Sequence, residues 1–282
     1  MLRIGPSGNS DSFYQEGYKH TYEAFGWLAK KGLNAYEYSF GKGVRMSDDT
    51  AEIIRQEADR HSFFVSVHAP YYINFAGSDA DKLKASQGYL ISSVKAARKL
   101  GAKRCVFHPG SCTNIDRADA LARAKVQIGQ VLQELYQTGY DDVILCPETL
   151  GKINQLGTLE EIVDICKEYE ALVPAIDFGH LHARSIGGIK NKDDYRRILD
   201  YIGDELGENR LKSIHVHFSK IEFTDSGEKM HRTFADEGFG PDFLPLAELI
   251  NEYMMSPALI CESRGTMAED AAEMLEIWQS VK

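Results

Sequence analysis

Six short apolar runs in this chain each end on a histidine or a carboxylate, and Gly, Pro or polar residues follow. They are Phe64-Val65-Ser66-Val67-His68, Arg104-Cys105-Val106-Phe107-His108, Val143-Ile144-Leu145-Cys146-Pro147-Glu148, Val173-Pro174-Ala175-Ile176-Asp177, Ile214-His215-Val216-His217 and Leu259-Ile260-Cys261-Glu262. Runs of this length and composition read as buried strands. One such strand ending in a ligand-type residue would mean little. Six imply a ring of strand ends that aims His, Asp and Glu at one point.

With two further runs, the strand candidates are Leu2–Gly5, Ala35–Ser39, Phe63–His68, Arg104–His108, Val143–Glu148, Val173–Asp177, Lys212–His217 and Ala258–Glu262. Helical patterns lie between them, over Asp48–His61, Lys82–Leu100, Ala118–Tyr136, Tyr195–Ile202 and Ala268–Val281. Thr158-Leu159-Glu160-Glu161 has the form of a capping box, and Leu159, Ile162, Val163 and Cys166 follow it at helical spacing. Strand–helix alternation means a parallel sheet, and eight strands close a barrel. At 282 residues the chain is long for an ordinary domain but normal for such a barrel. The expected fold is α/β, one (β/α)8 barrel domain over residues 1–282. The polar, glycine-bearing stretch Ser219–Pro245 reads as a long functional loop over the barrel mouth rather than a packed element.

In a parallel barrel every strand's C-terminal end opens on the same face, so His68, His108, Glu148, Asp177, His217 and Glu262 would converge without sequence proximity. His180 follows Asp177 by three residues, so a tight turn would keep it in the same pocket, and His231 lies in the polar stretch after the seventh strand. Imidazoles and carboxylates without cysteine suit Zn2+, Mn2+ or Fe2+. Eight candidate ligands are too many for one ion, so two or three ions sharing a bridging carboxylate are expected. His215 and His217 share a face of their strand at different depths. His217 is the expected ligand and His215 a deeper polar residue. Glu37, near the end of the second strand, fits either a barrel layer or a place behind the ligands. His182 has a weaker claim, and His20 and His61 read as ordinary helix residues.

The composition is that of a globular protein, 43% hydrophobic and 26% charged, with no apolar stretch long enough to span a bilayer. The five cysteines are scattered, three of them in or at the end of predicted strands, which fits reduced thiols in the cytoplasm. The net charge of −10 argues against nucleic acid. Bound cations and locally basic loops work the other way: Lys42, Arg45, Lys152, Arg184, Lys190, Lys192, Lys220, Lys229, Arg232 and Arg264 fall on the ligand-bearing side.

The segments Val106-Phe107-His108-Pro109-Gly110-Ser111, Ile176-Asp177-Phe178-Gly179-His180, His68-Ala69-Pro70-Tyr71-Tyr72-Ile73-Asn74 and Glu148-Thr149-Leu150-Gly151 resemble the endonuclease IV family, apurinic/apyrimidinic endonucleases built on a TIM barrel. The resemblance runs from near the start to Glu262. It implies a trinuclear zinc site: His68 and His108 on the first ion, Glu148 bridging to the second, Asp177, His217 and Glu262 completing the second, and His180 and His231 on the third. That family has an aspartate two residues before the last histidine, where this chain has Lys229 with Glu228 beside it. The resemblance also implies side chains that open damaged DNA, with Tyr71, Tyr72 and Ile73 in the wedge position and Arg45 on the preceding loop.

The expected activity is metal-assisted phosphodiester hydrolysis 5′ to an abasic site, with Glu148 at the catalytic centre, by a monomer whose partner is damaged double-stranded DNA and not a membrane. The rival is a one-ion sugar isomerase or epimerase on the same barrel, for which Glu148, Asp177, His217 and Glu262 would suffice. The four histidines His68, His108, His180 and His231 discriminate between them. A third reading is a binding module that keeps the ions without cleavage.

Overall fold

The computed structural model describes residues 2–282. Eight parallel strands form the centre: β1 Arg3–Pro6, β2 Ala35–Ser39, β3 Phe64–His68, β4 Arg104–Phe107, β5 Ile144–Pro147, β6 Ala175–Asp177, β7 His215–Phe218 and β8 Ala258–Cys261. They bond as two arcs, β2-β3-β4-β5 and β1-β8-β7-β6. Parallel bridges from Ser7 to Glu37 and from Glu148 to Ala175 join the arcs into a closed (β/α)8 TIM barrel.

Helices cover the outside, chiefly Asp48–Arg60, Ala80–Lys99, Arg117–Thr138, Leu159–Glu168, Lys192–Leu206, Leu244–Glu252 and Met267–Ser280. Several start where a short polar side chain captures free amide groups of the first turn. Ser47, Asp79 and Asp116 do so singly. Thr158 with Glu161 forms the expected capping box, and Asn191 with Asp194 forms another. The strands β4, β7 and β8 are buried at every residue, as a sheet wrapped on both faces requires. No helix among the described residues is long and apolar enough to cross a membrane.

Two differences from the sequence reading matter for the site. First, the strands stop short of the apolar runs, so His108, Glu148 and Glu262 stand one residue beyond their strand ends. Second, Ser219–Pro245 is not one long loop. It contains an antiparallel hairpin, Lys220–Thr224 with Gly227–Arg232, and the helix Leu244–Glu252 begins within it. The hairpin is stable because Ile221 is fully buried and Phe223 packs edge-on against His182, ring centroids 5.6 Å apart. In Lys220–Thr224 the polar residues alternate with Ile221 and Phe223, the pattern of a half-buried strand.

Candidate metal centre

Glu148, buried at the barrel mouth, is the hub. Its Oε2 lies 3.0 Å from both His68 Nε2 and His108 Nε2. Its Oε1 lies 2.9 Å from His217 Nδ1 and 3.6 Å from His180 Nδ1. The His68 ring is set by its other nitrogen, Nδ1, which donates to the Ala69 carbonyl at 2.8 Å. Glu262 approaches from β8, its Oε1 3.6 Å from His217 Nδ1.

Asp177 ends β6 and caps the short helix Phe178–Arg184, its Oδ1 accepting from the His180 amide at 2.6 Å. His180 is therefore held in the first turn of a helix rather than by a tight turn. Its Nδ1 lies 3.5 Å from Asp177 Oδ2, a buried oxygen with no hydrogen-bond partner. His231 Nδ1 lies 2.8 Å from Ser219 Oγ.

Three donor sets result at the barrel mouth, each with its atoms within 4.8 Å of one another: His68, His108 and Glu148; Glu148, Asp177, His217 and Glu262; Asp177, His180 and His231. A fourth group of the same kind, Glu37, His215 and His217, is completely buried behind them. Glu148 and Asp177 each serve two of the three sets at the mouth. This all-imidazole and carboxylate chemistry fits borderline divalent cations such as Zn2+. The unpaired, buried Asp177 Oδ2 is an acceptor that such a cation would satisfy.

Without cations the groups polarise one another. Burial disfavours the Glu148 carboxylate, yet His217, His108 and His68 hold it well below the usual carboxylate range. Burial likewise opposes charge on His68, but the Glu148 carboxylate raises it to about 9. His180 also rises to about 9 against the cost of burial, through Asp177, Glu228 and Glu148. Burial raises Asp177.

Lys229, in the position that departs from the resemblance, points elsewhere: its ammonium lies 2.6 Å from Glu222. Glu228 faces the site, with Oε2 3.5 Å from His180 Nε2 and Oε1 3.9 Å from His231 Nε2. The cause is a bulge. Glu222 pairs with Met230 and Phe223 with Glu228, so Lys229 is an extra residue in its strand. Residues three apart on a regular strand face opposite sides. The extra residue resets the alternation and brings Glu228 and His231 together. Two glycines allow the approach: a Cβ on Gly151 would lie 2.6 Å from Glu228 Cβ, and one on Gly227 2.1 Å from the Gly151 carbonyl oxygen.

All of the donors except Asp177 and His217 line a cavity of about 360 Å³, together with Glu228, Tyr71, Lys152 and Gln155. Tyr71 and Tyr72 are about half exposed, with ring centroids 4.9 Å apart. Arg45 is exposed and, with Lys42, lies near enough to act on the Tyr72 phenol. Ile73 corrects the sequence expectation. It is 3% exposed and belongs to the core, because an aliphatic side chain in this turn gains by burial while the tyrosine hydroxyls need water.

The basic loops are also less available than their sequence implies. Lys229 and Arg232 pair with Glu222, and Lys192 with Glu248 and Glu252. Lys220 donates to the Phe234 and Asp236 carbonyls. Arg184 and Arg117 brace the rim loop, donating together to the carbonyls of Leu150, Lys152, Ile153 and Gln155. Sequence reading missed that bracing, since nothing in the spacing of Arg117 marks a loop contact. His182 is buried outside the three sets, and His20 and His61 stand at helix ends away from them.

Residues 25–280 match the family described as "Xylose isomerase-like TIM barrel". The chain belongs to that family. An uncharacterized protein of Methanocaldococcus jannaschii is 33% identical over 263 residues, 93% of this chain and 92% of that one. A probable endonuclease 4 of Mycoplasmoides gallisepticum is 28% identical over 160 residues, 55% of this chain and 50% of its own length. The match thus spans about half of that endonuclease. Among solved structures, endonuclease IV from Thermus thermophilus superposes with a TM-score of 0.69 at 18% identity, covering 92% of this chain and 93% of that one. A D-tagatose 3-epimerase-like protein superposes with a TM-score of 0.68, also at 18% identity, covering 90% and 91%. At such identities the superpositions establish the shared barrel.

Proposed function

We propose that this chain is a metal-dependent phosphodiesterase that cleaves DNA 5′ to abasic sites, holding two or three zinc-class ions. The observation that carries the reading is the number of donor sets. A one-ion sugar enzyme needs only Glu148, Asp177, His217 and Glu262. Here His68 with His108 on one side and His180 with His231 on the other supply two more sets. Glu228 stands against the third, where Lys229 alone would have repelled a cation. The similarity to probable endonuclease 4 supports the same class.

Divalent ions there would act as Lewis acids toward a phosphodiester and make water a stronger acid. The chain's own part is positioning. Glu148 stands at the junction of two sets, so it fixes their separation. Tyr71 and Tyr72 offer ring faces to bases left unstacked beside a missing one. The exposed Lys42, Arg45 and Lys152 offer charge to the flanking backbone. Cleavage of the P–O3′ bond would leave a 3′-hydroxyl suitable for repair synthesis.

The sugar-epimerase reading is favoured by one observation, a cavity of about 360 Å³, the size of a small-molecule site. One experiment separates the two. The zinc-loaded protein is given a duplex oligonucleotide carrying a tetrahydrofuran abasic analogue, and separately a ketohexose. Nicking to a 3′-hydroxyl product supports the phosphodiesterase. Epimerisation of the sugar with an intact duplex overturns it.

A further inference from the structure

Behind the donor sets lie two ionisable residues that the proposed function does not use, Glu37 and His215, both against the ligand-set residue His217. Glu37 on β2 and His215 and His217 on β7 are all completely buried, at 0% exposure. Glu37 Oε1 lies 2.9 Å from His217 Nε2, and Oε2 lies 3.0 Å from His215 Nε2. Oε2 also accepts a hydrogen bond from Ser66 Oγ at 2.8 Å. The two imidazole contacts are short but bent, so Glu37 Oε1, His215 Nε2 and His217 Nε2 lack an aligned hydrogen-bond partner. A carboxylate charge so far from water requires a positive or proton-bearing neighbour. The two imidazoles and the Ser66 hydroxyl are the groups in polar contact with it among the described residues.

His217 is the element common to both layers. One ring edge, Nε2, meets Glu37, and the other, Nδ1, meets Glu148 at 2.9 Å and Glu262 at 3.6 Å. An imidazole can present a lone pair on one nitrogen while its other nitrogen keeps a proton, and a carboxylate beside the second nitrogen decides which is which. We propose that Glu37 is a positioning residue: it holds the proton of His217 on Nε2 and so turns Nδ1 toward the ion shared with Glu148 and Glu262. His215 takes the other Glu37 oxygen and keeps the carboxylate from rotating away. The inference rests on the site's being metal-dependent and not on the substrate being DNA.

The test uses zinc and no substrate, so failure of the DNA-cleavage reading and failure of this one are distinguishable. Zinc per chain is measured by elemental analysis, zinc affinity by competition with a chromophoric chelator, and His217 protonation by long-range 1H–15N NMR of the zinc-loaded protein. In the wild type the His217 proton is expected on Nε2. Glu37→Gln is expected to keep the full zinc count at saturation but to bind the ion at His217 roughly 10- to 100-fold more weakly. A purely structural role would lower the melting temperature without moving zinc affinity. His215→Ala is expected to keep the zinc count. Unchanged affinity in Glu37→Gln overturns the proposal, and so does a wild-type His217 proton on Nδ1. Loss of one zinc per chain in His215→Ala also overturns it, because Glu37, His215 and His217 would then be an ion site themselves. The NMR reading on the wild type stands even if a variant fails to fold.

Discussion

Glu228 and Lys229, adjacent in sequence, serve opposite sides of one hairpin strand: Glu228 reaches within 3.5 Å of His180, while Lys229 ion-pairs with Glu222 at 2.6 Å. The bulge that separates them brings a second carboxylate beside the third donor set, which already holds Asp177, without an aspartate two residues before His231. Glu228→Ala should therefore lower bound zinc by about one ion per chain and leave the other sets filled, whereas Lys229→Ala should keep the full count. Elemental analysis of the dialysed proteins checks this. Equal zinc in Glu228→Ala and wild type would remove Glu228 from the site.

Glu148 touches His68, His108 and His217 at 2.9–3.0 Å, so no other side chain can replace it at the junction of two sets. Glu148→Gln should reduce cleavage of an abasic duplex by roughly 100- to 1,000-fold or more, with an unchanged far-ultraviolet circular dichroism spectrum. Single-turnover kinetics provides the measurement, and near-normal turnover would count against the bridging role.

The alkaline loss of stability should vanish when ions bind. In the ion-free protein His68 and His180 are raised to about 9 from an ordinary 6.5. The folded form then holds protons that the unfolded chain releases, so this stability is complete below 6.5 and is lost as pH rises through 9. His215 works the other way. Burial lowers it to about 4, so its contribution is present above 6.5 and is lost as pH falls through 4. Ion-free protein should melt highest near pH 6.5 and several degrees lower at pH 9. With zinc the alkaline loss should disappear, because the ions bind deprotonated imidazoles. Thermal scans with and without chelator test it; an ion-free melting temperature that is flat or rises from pH 6.5 to 9 would contradict the assignment.

Tyr71 lines the cavity and forms an exposed pair with Tyr72. Replacing either with alanine should weaken binding to an abasic duplex by about 1–3 kcal/mol, the scale of one base–aromatic stack, and leave zinc content unchanged. Fluorescence anisotropy on the labelled duplex reads the difference. Ile73→Val, by contrast, should cost only about 0.5–1.5 kcal/mol of stability and leave affinity alone, since Ile73 lies in the core.

The sequence by itself determined the barrel and most of the histidines and carboxylates that meet at its mouth. Apolar runs of strand length that alternate with capped helices have one economical closure, and in it every strand end opens on a single face. That is why His68, His108, Glu148, Asp177, His217 and Glu262 could be named from order alone, and why the Thr158–Glu161 capping box was legible locally. Only the tertiary structure decided what depends on distance and facing. The Lys229 bulge is invisible in a one-dimensional pattern, because inserting one residue into a strand alters the side it presents without altering composition. The burial of Ile73 beside exposed Tyr72, the withdrawal of Lys192, Lys220, Lys229 and Arg232 into internal contacts, and the Arg117 and Arg184 braces are all set by the folded chain rather than by local sequence. Glu37 shows the division most clearly. Its charge in an apolar strand was readable, but its role depends on His215 and His217 meeting it across the barrel interior, a contact that exists only once the sheet has closed.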